Sequence, residues 1–542
     1  MSADLIFAVM PILVLIYWMT KASPMPSAKA LPLAAVLAYG IRLAWFGTDA
    51  KLVHASVIAG LLMAWTPILI VWGAIFLFHT MEQTAAMATI RQWLNALSRN
   101  RVAQVVIIGW SFQFLIEGAS GFGTPAALAA PLLVGLGFPP LRVAMACLIL
   151  NSVPVSFGAV GTPTWFGFAS LKLSPGELHA VAWRTAVIHS VAACVVPMMA
   201  FRLLLSWQEI RRNLQFIYLA IAASVVPMTL LALLNDEFPA VAGGMIGLLI
   251  TVWLARRRVG LADDQPVTEE MPATSAQLVV KAMFPLWGTV LVLLATRIPQ
   301  LGLRALLTMA SPVWEIPISR LGVFSISPAL VLRLRSILGT EVDWTHQVLY
   351  VPSLIPFVLI SIVSLWVLKA PPGTARQVWN QTISRMANPV LALLGALVLV
   401  NLLMTGNESS SVMIAGRSLA AATGDWWQYF AAYLGAIGAF FAGSCTISNL
   451  TFGPIQDSIA AQLGQDRTTI LALQSVGGAM GNMVAIHNIV AVSSVLGIVN
   501  REGEILRQTV GPMLLYGAIA AVASECLFGC SACLILQCTE AC

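Results

Sequence analysis

Two stretches of this chain set glycine, proline and small hydroxyl or amide side chains where apolar runs would otherwise continue. The first reads Phe114-Leu115-Ile116-Glu117-Gly118-Ala119-Ser120-Gly121-Phe122-Gly123-Thr124-Pro125. It is followed by Asn151-Ser152-Val153-Pro154-Val155-Ser156-Phe157-Gly158-Ala159-Val160-Gly161-Thr162-Pro163-Thr164. The second reads Ala442-Gly443-Ser444-Cys445-Thr446-Ile447-Ser448-Asn449, followed by Gln474-Ser475-Val476-Gly477-Gly478-Ala479-Met480-Gly481-Asn482 and then His487-Asn488. In hydrocarbon, backbone leaves helical geometry only where protein or a water-filled cavity satisfies its polar groups. Broken helix ends offer unpaired N–H groups and partial positive charge, which suit a carboxylate. The binding set read from these stretches is Gly118, Ser120, Gly121, Gly123, Thr124, Asn151, Ser152, Ser444, Thr446, Ser448, Asn449, Gln474 and Ser475.

The two stretches look like copies of one unit. Gly118 and Gly443 are 325 positions apart, and Ser152 and Ser475 are 323 apart, so the polar breaks are spaced almost alike in each half. Interrupted segments at corresponding positions point to a site at a repeat interface. Small residues also permit close helix packing, but packing alone does not call for the paired spacing or the density of Ser, Thr and Asn. Each unit is expected to be a re-entrant hairpin plus a broken helix, with a turn inside 118–136 and another inside 443–463.

Ionisable residues beside these breaks are candidates for proton handling. Glu117 closes an apolar run, a costly place for a carboxylate unless it is paired or protonated; it reads either as a proton site or as the structural partner of an arginine or a backbone N–H. His487 could titrate near neutral pH, or be a buried ring satisfied by hydrogen bonds. Arg417 is a candidate cation for the anion, with a loop-end arginine as the plainer alternative. Asp457, His189 and Arg184 are weaker candidates, each able to reach an interfacial layer.

The elements that must position these groups follow from composition. The 542 residues are 59% hydrophobic and 10% charged, with mean hydropathy +0.86, where a soluble domain is roughly a quarter charged. About 20 apolar residues span a bilayer core, and runs of that kind recur from Leu5 to Phe528. They predict an all-α polytopic integral membrane protein with about 12–14 transmembrane segments, two inverted repeats and re-entrant hairpins. The first run lacks a basic leader and reads as a retained helix rather than a signal peptide. Lys and Arg in short loops set orientation and place Lys21, Arg99, Arg211, Arg256 and Arg376 on the cytoplasmic side. The organisation expected is a repeat half over 1–255, a polar linker with one membrane helix and a peripheral insertion over 256–345, a second half over 346–530, and a Cys-containing tail over 531–542. Within it, 297–343 carries Arg304, Arg320, Arg333 and Arg335, which fits the simple helix count badly.

Other classes are disfavoured. The net charge of +6 comes from basic residues scattered at helix ends, so it describes topology rather than a nucleic-acid partner. Five of the eight cysteines, Cys526, Cys530, Cys533, Cys538 and Cys542, fall at the end of the chain. They sit in or beyond an apolar helix, which suits packing or lipid modification better than an iron–sulfur cluster. Phosphate-loop, zinc and dinucleotide motifs are not found in the sequence, so neither enzyme activity nor a cofactor is expected.

Glu117 to Pro125, Gly135-Leu136-Gly137-Phe138, Asn151 to Gly158 and Ala442 to Asn449 resemble the signature stretches of the L-lactate permease family. The likeness is specific over 102–163 and 431–503, and elsewhere follows the order of apolar runs. It implies a proton-coupled symporter of L-lactate, D-lactate or glycolate in a bacterial-type plasma membrane, related to transporters with two inverted repeats and an elevator-like step. Family members often carry an acidic or amide residue where this chain has Cys445, a lysine where it has Asn482, and a Pro-Gln-like pair where it has His487-Asn488. Implied partners are a small organic anion, a proton and the lipid bilayer, with homo-oligomerisation left open. A dicarboxylate or inorganic oxyanion carrier and a passive anion channel are the alternatives.

Overall fold

The computed structural model describes residues 3–21, 25–96, 100–121, 124–262, 275–297, 301–351, 354–406, 409–498 and 501–529. They are mostly helical. Among the described residues, five helices are long and apolar enough to cross a bilayer, or seven if each of two bent pairs counts as one span. The contacts divide the chain into two compact units, each drawing on both halves of the sequence: Met1–Arg91 with Thr274–Leu419, and Gln92–Ala273 with Ala420–Cys542.

The first unit is organised around the 31-residue helix Thr374–Met404, against which the helices Ser27–Ala44, Ala50–Met63 and Trp65–Gln83 pack. The apolar run from Val53 to Phe78 is therefore two helices, meeting at Ala64. Arg42 is buried at the end of its helix. Its guanidinium donates to the Ser409 carbonyl at 2.9 Å and to Thr48 Oγ1 at 2.9 Å, and lies 4.7 Å from the centre of the Phe46 ring.

The insertion forms a four-stranded antiparallel meander in the order β1 (Trp314–Ile318), β2 (Gly322–Ile326), β3 (Val331–Arg335) and β4 (Trp344–Gln347). Alternation puts Leu334 and Trp344 on the face that packs against Ala55 and Ala59. Beside them His346 is buried, with Nδ1 at 2.8 Å from Thr66 Oγ1. Its burial disfavours the charged ring and lowers the pKa below the usual value near 6.5.

The second unit contains the interrupted segments. The span Arg101–Ala119 is almost wholly buried and widens into a π-helix over Val106–Phe112. Pro140–Leu150 and Pro154–Leu171 form a pair bent by 58°, and Pro175–Ala193 with Val196–Leu204 a pair bent by 42°. The helices Leu214–Ala232 and Pro239–Arg256 pack on each other, and the latter also lies against the 113–120 helix. The apolar run from Ile470 to Leu496 divides into Arg467–Gly481 and Ile486–Val495.

Candidate functional site

Several chain breaks in the second unit face one small cavity. The helix Gln113–Ser120 stops at Gly121, whose φ of 59° and ψ of −153° belong to a region open essentially to glycine alone. The next helix begins at Thr124. At the second stretch, Trp427–Ala442 ends on Gly443 in the left-handed conformation. Ser444 then caps Cys445–Leu463, its Oγ accepting from the Ile447 N–H at 3.4 Å. Both expected breaks are present; the second lies at the start of its stretch, and 445–463 is one continuous helix.

A third break was only half visible in the sequence. After the 3-10 turn Pro154–Phe157 the backbone passes through Gly158 into left-handed angles at Ala159, Val160 and Gly161, with φ of 44°, 58° and 69°. For Ala and Val such angles are strained. Thr162 Oγ1 donates to the Ala159 carbonyl at 2.5 Å, and Trp165 Nε1 donates to the Val160 carbonyl at 3.0 Å. The Ser156 carbonyl accepts from Thr164 Oγ1 at 2.7 Å.

Between these breaks lies a narrow cavity of about 20 Å³, its walls including Glu117, Gly121, Gly158, Ser444, Cys445, Thr446 and Asn482. That is room for little more than one water molecule, so a carboxylate substrate must widen the cavity on binding. Asn482 is fixed by Asn488, whose Nδ2 donates to its carbonyl at 2.9 Å and to its Oδ1 at 2.7 Å. Glu117 is buried and accepts from Asn151 Nδ2 at 3.0 Å. Among the described residues no Lys or Arg forms an ion pair with it.

Other residues read from the sequence stand behind the wall. Gln474 Nε2 donates to Ser448 Oγ at 3.1 Å, and its Oε1 accepts from Gln456 Nε2 at 3.0 Å. Asn449 Nδ2 donates to the Pro163 carbonyl at 2.9 Å, and Ser448 Oγ to the Gly435 carbonyl at 2.7 Å. Ser475 Oγ donates to Ser156 Oγ at 3.0 Å, joining the two stretches. Ser152 Oγ is satisfied by the Ile149 carbonyl at 2.7 Å, and Gly118 packs directly on the backbone of Ala240 and Val241. Gly123, the side chains of Ser120, Thr124 and His487, and Cys530, Cys533, Cys538 and Cys542 lie outside the described residues.

Arg184 is paired with Asp466 and donates to Thr469 Oγ1 at 2.7 Å. Asp457 is paired with Arg467, which also reaches Glu177 at 2.8 Å. These are clasps between helices. Arg417 belongs to the first unit.

The L-lactate permease family model matches residues 4–528. The chain belongs to the L-lactate permease family. A Haemophilus influenzae protein named "Putative L-lactate permease" is 48% identical over 517 residues, covering 95% of this chain and 97% of that one. The Escherichia coli K12 "L-lactate permease" is 27% identical over 485 residues, 86% of each chain. The "Glycolate permease GlcA" of the same strain is 26% identical over 498 residues, 84% of each. Membership accounts for the multi-pass, apolar character of the chain. Within this family member, the binding set from sequence omitted Gly158, Ala159 and Cys445 from the cavity wall and Ser156 from the shell. Gly158 and Gly161, three apart before Thr162-Pro163, were the visible sign of that wall.

Proposed function

We propose that this protein is a secondary transporter of a small monocarboxylate, lactate or glycolate, moved together with a proton across a bacterial-type plasma membrane, and not an enzyme. The observation that carries the reading is the buried Glu117 beside a cavity whose walls, among the described residues, contain donors but no lysine or arginine. Ser444, Thr446, Asn482 and the N–H groups at the start of the 445–463 helix supply donors for the substrate carboxylate. Two carboxylates in so small a space repel, and both lose solvation, so a shared proton is the simplest neutralising partner. Anion and proton then enter as a pair and leave as a pair, and the complex crosses the bilayer without net charge. The two halves, 1–255 and 346–530, are read as inverted repeats that bring their polar breaks to this site. The relatives named for lactate and glycolate support the choice of solute.

Uptake of labelled L-lactate, glycolate and succinate into proteoliposomes under imposed pH or sodium gradients tests this reading. Saturable lactate or glycolate uptake driven by an inward proton gradient is expected, with little succinate uptake. A sodium-driven flux, or preference for succinate, would reject the proton or the monocarboxylate assignment respectively. Combined Ser444→Ala and Thr446→Ala replacement should raise the lactate KM by at least about tenfold, since even one hydrogen bond to a charged group is worth about 1.5–3 kcal/mol.

A further inference from the structure

Behind the cavity wall stands a buried histidine that the transport reading leaves unused. His189 lies on the 175–193 helix with no exposed surface. Its Nδ1 is 2.6 Å from the Tyr516 hydroxyl and its Nε2 is 2.8 Å from Ser156 Oγ. Ser156 Oγ also donates to the Ser475 carbonyl at 3.0 Å and accepts from Ser475 Oγ. A serine hydroxyl has one proton to give, and that of Ser156 goes to the carbonyl. Ser156 must therefore accept from His189, which fixes the proton on Nε2. Nδ1 of the neutral ring then accepts from the Tyr516 hydroxyl. Both ring nitrogens are satisfied, and the donors point one way, from Tyr516 through His189 and Ser156 to the backbone of Ser475. A second proton, on Nδ1, would oppose the tyrosine proton.

The chain ends on the cavity. Ser156 sits between Val155 and Gly158, which both line it, and Gly158 lies against the Glu117 carboxylate. The Ser475 carbonyl also faces Cys445 Sγ at 3.5 Å, and Cys445 packs on Val155. We propose that His189, held as the Nε2–H tautomer, is a positioning residue that fixes Ser156 and thereby the wall formed by Val155, Gly158 and Cys445. This rests on the transport reading above.

The test compares His189→Gln, His189→Ala and Tyr516→Phe in a background where Cys445 is the sole cysteine. Two quantities are read: lactate KM against Vmax in proteoliposomes, and the rate at which a small methanethiosulfonate labels Cys445. A glutamine amide can place its N–H donor near the ring's Nε2 and keep the bond to Ser156, so His189→Gln should keep KM within about twofold. His189→Ala should raise KM roughly tenfold, change Vmax less, and speed labelling by a similar factor, since each lost hydrogen bond is worth about 0.5–1.5 kcal/mol. Tyr516→Phe should give a smaller change of the same sign, and carries the test if the alanine variant does not fold. Unchanged KM and labelling in the foldable disruptive variants would overturn the proposal. So would a glutamine variant that loses proton-driven accumulation yet keeps exchange, because that makes His189 a proton carrier. Faster labelling without saturable lactate uptake in the parent protein would uphold the positioning role while rejecting the transport reading.

Discussion

Glu117 and Arg42 are both buried charge-bearing residues, one in each compact unit, and their surroundings differ in kind. Arg42 is enclosed by acceptors and an aromatic face: the Ser409 carbonyl, the Thr48 hydroxyl and Phe46 all stabilise a cation. Arginine does not deprotonate in proteins, so that charge is fixed. Glu117 has one amide donor from Asn151 and otherwise faces glycine and a cavity. Burial is the same in both; only the glutamate is left room to change its protonation and a solute space in which that change matters. Function is marked by how a buried charge is supported.

The strongest way to break this comparison is Glu117→Gln. Gradient-driven lactate accumulation should fall to background while counterflow exchange persists, read by preloading vesicles with unlabelled substrate. Retained accumulation would move coupling to another group, with His487 the remaining candidate from the sequence. Arg42→Ala should do the opposite. It removes the donor from the Ser409 carbonyl and the Thr48 hydroxyl, both reached by solvent, and should cost roughly 1–2 kcal/mol of stability, seen as earlier thermal unfolding in detergent, while the protein that does fold keeps its lactate KM. A raised KM at unchanged stability would erase the distinction between the two charges.

Gly158→Ala sharpens the contrast on the glutamate side. A methyl there runs into Glu117 Oε1, so Glu117 or the 154–158 backbone must shift. Lactate KM should rise several-fold, with a thermal midpoint closer to the parent than that of Arg42→Ala; a parental KM would show that the carboxylate is not held against this wall.

The smallest effect concerns His346. Its proton affinity is lower in the folded protein than in the unfolded chain, where histidine titrates near 6.5. Its contribution is therefore complete above that pH and is lost as the pH falls, because the unfolded state then binds the extra proton. Thermal stability should drop between about pH 6.5 and 5, and His346→Gln should flatten that part of the profile. An unchanged slope in the variant would assign the acid sensitivity elsewhere.

Much of the site was legible in the sequence because apolar solvent makes polar interruptions costly. Glu117, Gly121, Ser444 and Thr446 were found for that reason, and they do meet at one cavity. The left-handed stretch at Ala159 and Val160 was not, since neither residue announces such a backbone and the strain is held by Thr162 and Trp165. The break at Ala64 carries no glycine and was read through. The link from Tyr516 through His189 to Ser156 joins positions hundreds of residues apart, and no local pattern encodes it. Of the fold, the succession of apolar helices was readable, whereas the insertion was recognised as foreign to the helix count without its sheet being seen.

The Thr374–Met404 helix has a consequence for the surrounding lipid. At 1.5 Å per residue it is about 46 Å long, and its uncharged part, Met386 to Met404, rises about 28 Å. A bilayer hydrocarbon core measures about 30 Å. The preceding turns carry Arg376, Asn380, Gln381 and Arg385, which seek the headgroup layer. This helix therefore matches a bilayer of ordinary thickness with its charged N-terminal turns among the headgroups, and markedly longer acyl chains should introduce mismatch.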